Sequence, residues 1–424
     1  MNQTQNFLKL YLPFLLSFIC GRLVLQTDLF MISRLGANAI AAHAVPMRIM
    51  FLDVILAFSL SPVISVLVAS QKNPDDIKNK ISLSIQMAII LSILTTVICL
   101  FIYPIIAKFS IHDLQVLDYA NQAIFWLTLS IPTRLVQFAG SMALHGLSRG
   151  SFVIKISIIE IITNLVGNIL FMNILNLGFK GSYISTLASS LIVCSITMYA
   201  LRNYIHFKLF FKFSKEHLIF LKNLTAEFGR ILSERVVAYF TLISFTFNSL
   251  AGAGLVAFSV AFEIYNLLTV PLIALMRASA IYWSQEGHTG MKELIQNQFT
   301  KSLLKWSMIL STIVSLLWVL FSSKLTSLYG INSNILIWWN TFVVFFALTI
   351  PTKTINLLLK GAHQSFKNLK HSFYADLFSH WAVLLPILFL GYLTHNPFYY
   401  GLSFLVSEVA SLMFLGIYSF KVNG

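Results

Sequence analysis

Between Lys80 and Lys108 the chain runs without a single charged residue. About 20 apolar residues in a helix cross the hydrocarbon core of a bilayer. Runs of this kind recur along the whole sequence, separated by short polar breaks. A soluble fold has no use for so many of them. Of the 424 residues, 57% are hydrophobic and only 10% charged, whereas a soluble domain turns a large polar fraction to water. Membrane β-strands would alternate polar and apolar with a period of two, and these runs do not. The pattern predicts an all-α polytopic membrane protein. Its 12 transmembrane helices are expected near 7–33, 39–70, 81–108, 117–146, 151–175, 179–205, 223–249, 253–285, 297–329, 335–363, 368–394 and 397–421. Several are longer than a bilayer needs, so they must tilt, bend at proline or project beyond it.

The net charge of +14 does not point to nucleic acid, because the basic residues sort by loop. Loops after even-numbered runs carry most of them, including Lys72, Lys78, Arg149, Arg202, Lys215, Lys292 and Lys367. The opposite loops carry Arg34, Lys108, Lys180 and Lys324. The side richer in Lys and Arg faces the cytoplasm, so both termini are expected there. The N-terminal run is too long and interrupted for a cleaved signal segment and is expected to be the first span. Cys20, Cys99 and Cys194 all lie in apolar runs and show neither a disulfide framework nor a metal-ligand spacing. The expected setting is a bacterial inner membrane, with the chain acting as a monomer in the lipid bilayer.

The stretch from Leu201 to Asn223 is basic and aromatic, which suits a segment lying on the cytoplasmic lipid surface. It divides the chain into an N-lobe (1–205), a linker (206–222) and a C-lobe (223–424). The lobes read as copies. "IPTRLVQFAGSMALHG" in the fourth run aligns with "IPTKTINLLLKGAHQS" in the tenth, an offset of 219 residues, 351 minus 132. "VASQ" ends the second run and "YWSQ" the eighth. Paired runs cross in the same direction, so the repeat is parallel. Two parallel six-helix lobes around a central cavity are a transporter plan, with the substrate expected between the lobes.

Charges inside the runs mark where that function would sit. Each costs about 2.5–3.5 kcal/mol at a helix centre on insertion scales, so each should face a cavity or a partner. Arg134, Gln137, Ser141 and His145 share one helix face; Lys353, Asn356, Lys360 and Gln364 share the matching face of the other copy. Arg134, Lys353, Gln137, Asn356, Asp53, Glu263 and Arg48 are the candidate substrate-cavity residues. Ser157, Glu160, Asn164 and Asn168 form a third face, with Asp28 as its natural partner. A carboxylate beside side-chain amides offers oxygen ligands to Na⁺, and a carboxylate removed from water can carry a proton. Glu234 is the deeper acid of the seventh run. Asp28, Asn164, Asn168, Glu160 and Glu234 are therefore the cation-coupling candidates. No catalytic cluster stands out: His112 and Asp113 do not form one, and no cofactor is expected.

The chain resembles the multidrug and toxic compound extrusion (MATE) family of the MOP exporter superfamily over nearly its whole length. The carriers are "LP" at Leu12–Pro13, "TDLFMISRLGANAIAAHAV" from Thr27, the terminal "SQ" of the second run, "NLVGN" at Asn164–Asn168 and "SERVVAYF" around Glu234. The resemblance implies an H⁺- or Na⁺-coupled antiporter of small organic molecules working by alternating access, such as a multidrug or xenobiotic exporter. It implies an N-lobe cation site at Asp28, Asn164 and Asn168 and a C-lobe role for Glu234. Many of the family's drug exporters have an acid about eight residues before the glycine matching Gly361; this chain has Lys353. Arg134 and Lys353, one per lobe, therefore raise an anionic or zwitterionic substrate. The rival is that they neutralise Glu160, Asp53 or Glu234. The alternative functions are a flippase for lipid-linked oligosaccharide within the superfamily and, from another class, a polytopic membrane transferase.

Overall fold

Inside a bilayer no water is present to satisfy backbone N–H and C=O groups, so apolar runs of this length must close their hydrogen bonds within a helix. The computed structural model shows this result. It describes residues 3–36, 39, 42–43, 50–110, 114–205, 214–246, 251–288, 290–328 and 333–421, among which no strand occurs.

The N-terminal half holds α1 (Gln3–Ser33), α2 (Leu52–Ala69), α3 (Pro74–Ser110) and α4 (Leu114–Gly146). Next come α5 (Gly150–Asn168), which continues as a π-helical turn over Ile169–Ile174, and α6 (Gly178–Leu201). The C-terminal half holds α7 (Lys215–Thr246), α8 (Ala251–Glu286), α9 (Gln298–Leu328) and α10 (Ser333–Ser365), with a short helix at Met291–Gln296. In α11 an α-helix (Leu369–Leu377), a π-helix (Phe378–Leu384) and an α-helix (Leu385–Thr394) follow without a break. The last helix is α12 (Pro397–Lys421).

These twelve helices occupy the twelve expected runs. Two boundaries moved. α7 begins at Lys215, so part of the expected linker is helix; most of the remainder, 206–213, lies outside the described residues. The first part of the second run is described only at 39 and 42–43. Ten of the helices are long and apolar enough to cross a membrane. The other two long helices are α4, which carries Arg134, and α7, which carries Glu227, Arg230, Glu234 and Arg235. Charged and polar side chains make these two less apolar than the rest.

The chain forms two compact units, residues 8–224 and residues 1–7 with 225–424. Phe7 belongs with the second, where its ring packs on Tyr282 and Phe299 at 5.9 and 5.7 Å. Each unit repeats one packing scheme. In the first, α4 packs on α2, α3 and α6, and α6 also packs on α5. In the second, α10 packs on α8, α9 and α12, and α12 also packs on α11. The repeat extends to backbone detail. Ser148 and Lys367, 219 positions apart, take left-handed φ of 59° and 60°; Asn176 and His395, at the same offset, take 50° and 53°. Non-glycine residues rarely adopt this region, so its recurrence at equivalent helix ends marks a duplicated turn geometry.

The second unit has an aromatic core of Phe258, Tyr265, Trp339, Phe342, Phe346 and Tyr400. Pro132 and Pro351 lie inside α4 and α10, each an unbroken helix.

Candidate cation and substrate sites

In the N-lobe, Asp28 near the end of α1 is buried. Asn168 Nδ2 donates to Asp28 Oδ1 at 2.7 Å, and Thr186 Oγ1 donates to Oδ2 at 3.4 Å. Asn168 Nδ2 also reaches Asn164 Oδ1 at 3.2 Å. The two asparagines stand one turn apart on α5, which puts both amides on the face that meets α1 and α6. Ser185 on α6 fixes that face by donating to the carbonyl of Asn164 at 2.8 Å. The close approach needs Gly167, since a Cβ there would run into the Ser185 hydroxyl. Among the described residues no basic group lies within ion-pair distance of Asp28. Asn168 Oδ1 is buried with no hydrogen-bond partner among them. The site thus offers a carboxylate and an amide oxygen without a partner among the described residues.

Glu160, two turns before Asn168, is half-buried and lies within electrostatic reach of Arg134 and Asp28. Arg134 pairs with Asp53 on α2, NH1 to Oδ2 at 3.2 Å, with 38% of its side chain exposed against 5% for Asp53. Gln137 is half-buried on the same face. His145 is fully buried and stacks on Phe14 at 3.7 Å. Arg48 lies outside the described residues, as do His112 and Asp113.

The C-lobe is built differently. Lys353 Nζ lies 3.4 Å from Glu408 Oε1 on α12 and 5.1 Å from the centroid of the Tyr265 ring. Asn356 Nδ2 donates to Glu408 Oε2 at 2.6 Å. Ser411 donates to both Asn356 Oδ1 (3.3 Å) and Asp376 Oδ1 (3.2 Å). Asp376 accepts Lys360 Nζ at 2.6 Å and Arg230 NH1 at 3.4 Å. Arg230 Nε binds Glu227 at 3.0 Å, Gln364 donates to Glu227 at 3.3 Å, and Arg277 donates to Gln364 at 3.3 Å. One connected polar network therefore joins α7, α8, α10, α11 and α12. Removing two charges from water is tolerated only when geometry and added hydrogen bonds compensate, and this network provides both. Gly361 permits the contact of α8 with α10, because a Cβ there would lie 2.9 Å from the Met276 carbonyl.

Of the C-lobe candidates, Lys353 and Asn356 are in this network. Glu234 is exposed; it lies within electrostatic reach of Lys353, Arg230 and His380 but makes no ion pair among the described residues. Glu263 sits on an exposed face of α8. The sequence-based site omitted Asp376, Lys360, Glu408 and Glu227, which carry the network. A signal for two of them was present: Lys360 and Asp376 are the repeat mates of Ser141 and Ser157, both at the 219-residue offset. An acid and a base in one copy, where the other has two serines, mark these positions as a pair.

The chain matches solved structures along its full length. A MOP superfamily transporter from Pyrococcus furiosus, described as having a binding pocket of reverse polarity that suggests a different function, superposes with a TM-score of 0.86 at 15% identity. The alignment covers 100% of this chain and 97% of that one. A multidrug resistance MATE family transporter of the MOP superfamily in an outward-facing conformation gives 0.84 at 16%, with the same coverages. A MATE in a bent conformation gives 0.88 at 17%, again covering 100% and 97%. At these identities the likeness establishes the fold. No curated protein matches the chain. The model of the MatE family matches residues 13–170 and 235–390, the bulk of both lobes. The chain belongs to the MatE family of membrane transporters.

Proposed function

We propose that this transporter is a secondary exporter in which one monovalent cation, H⁺ or Na⁺, entering at Asp28 drives the outward movement of a small organic molecule by alternating access. The observation that carries this reading is a buried carboxylate held by an amide and a hydroxyl, with no basic partner among the described residues. Asp28 ties α1 to α5 and α6 through hydrogen bonds to a charged group, each contributing about 1.5–3 kcal/mol. A proton or Na⁺ on the carboxylate weakens those ties, and its departure restores them. One charge moving through about 100 mV releases about 2.3 kcal/mol, enough to drive a change of that size.

The charge of the substrate follows from the pairing of Arg134 and Lys353. One solved relative is described as having a pocket of reverse polarity, and Lys353 raises the same question here. Both basic groups already have carboxylate partners, Asp53 and Glu408. A substrate anion must compete with the charge of that partner at either one. That favours neutral or zwitterionic substrates over multiply charged anions. It also weighs against the flippase reading, since a pyrophosphate needs unpaired basic groups.

The test is flux in proteoliposomes, with a pH gradient and a Na⁺ gradient imposed separately, against cationic, zwitterionic and anionic substrates. Only one gradient should drive export, and Asp28→Asn should abolish that dependence. Full coupled export by Asp28→Asn would falsify the role assigned to Asp28.

A further inference from the structure

The duplicated lobes carry different groups at one matched position. In the N-lobe, Ser141 on α4 and Ser157 on α5 are small, neutral and buried. Their C-lobe mates are Lys360 on α10 and Asp376 on α11, joined at 2.6 Å with each side chain at most 8% exposed. The oxygens at the Lys360 end of this pair form a recognisable set. Asp376 Oδ1 receives the ammonium and the Ser411 hydroxyl, and Ser411 leads on to Asn356 Oδ1 at 3.3 Å. A carboxylate, a hydroxyl and an amide oxygen are the hard ligands that small cations take. The π-helix Phe378–Leu384 begins two residues after Asp376, as the π-turn Ile169–Ile174 begins directly after Asn168 in the N-lobe. Such interruptions are common beside functional sites.

We propose that the Lys360 ammonium is a tethered counter-cation filling a monovalent-cation site made by Asp376, Ser411 and Asn356, so that the C-lobe takes no coupling ion and the N-lobe takes one. The limit of one coupling ion rests on the cation-coupled reading above; the filling of the C-lobe site by Lys360 does not. The ammonium carries the same unit charge as Na⁺ but cannot leave, being covalently fixed to α10. Arg230 meets the other carboxylate oxygen of Asp376 at 3.4 Å and so orients the carboxylate towards Lys360.

The experiment is performed on the purified full-length chain in detergent, in an Asp28→Asn background that removes the N-lobe carboxylate. Binding of radiolabelled Na⁺ and the melting temperature are measured in NaCl against N-methylglucamine chloride at equal ionic strength. Lys360→Ala should gain Na⁺ binding and a Na⁺-specific rise in melting temperature that the parent lacks. Adding Asp376→Asn should remove both. A monodisperse Lys360→Ala that gains neither overturns the proposal, as does a parent whose bound Na⁺ is lost on Asp376→Asn. If Lys360→Ala aggregates, the pair with Asp376→Asn decides. Recovery of a monodisperse double variant supports Lys360 as the counter-charge of Asp376; equal aggregation of both overturns it. None of these readouts needs transport, so full coupled export by Asp28→Asn in the flux assay would sink the functional reading and leave this one standing or falling on its own.

Discussion

The two lobes pack their helices alike and handle charge in opposite ways. In the N-lobe, Asp28 is held by neutral donors and Asn168 keeps an unused oxygen. In the C-lobe, Glu227, Asp376 and Glu408 each meet a basic group within 3.4 Å. On the reading proposed above, the first is the place for an exchangeable cation and the second is a structural joint. The two copies share the scaffold, down to the left-handed turns at Ser148 and Lys367, and differ in the charges set on it.

The largest effect expected from this contrast is on C-lobe stability. Asp376→Ala leaves the Lys360 ammonium buried without its carboxylate, while Arg230 keeps Glu227, and breaking a buried pair in this way costs about 3–5 kcal/mol. Thermal unfolding should show a large fall in melting temperature; a fall no larger than that of a surface variant would mean the network is not a joint. The matching N-lobe change should do the reverse. Asp28→Asn keeps the shape and removes the charge, so coupled export should drop at least about tenfold, equivalent to about 1.4 kcal/mol, with the melting temperature held or raised. A variant that loses stability and keeps coupling would invert the comparison.

Smaller effects sharpen it. Arg134→Ala frees Asp53, yet the arginine side chain is 38% exposed and its pair is partly screened by solvent. The stability loss should be about 1 kcal/mol, well below that of Asp376→Ala when read in the same unfolding assay. Glu263→Gln, on an exposed face of α8, should change stability by no more than about 0.5 kcal/mol and leave the ion dependence of flux untouched.

Much of this was legible in the residues. The apolar runs set the helices, because lipid forces any backbone within it to satisfy itself locally. The 219-residue offset set the two lobes, and the spacing of Asn164 and Asn168 put both amides on one face. The C-lobe network was less legible. Glu408, Asp376 and Glu227 lie on three helices far apart in sequence, and no spacing along one helix shows which basic group each one meets. Glu234 drew attention for its depth in the seventh run, but it makes no ion pair among the described residues, whereas Glu227 nearer the end of the helix is fully engaged.

Sequence alone determined that this chain is a duplicated helical membrane protein with costly charges at matched positions. Helix formation in lipid is a local necessity, and a repeat is visible wherever residues are compared in order. Only the tertiary structure decided which charge meets which. Arg134 and Lys353 look equivalent as letters, yet their partners, Asp53 and Glu408, come from non-equivalent helices, α2 in one lobe and α12 in the other. Pairing depends on distances of a few ångströms between helices, and no spacing along one helix encodes those distances.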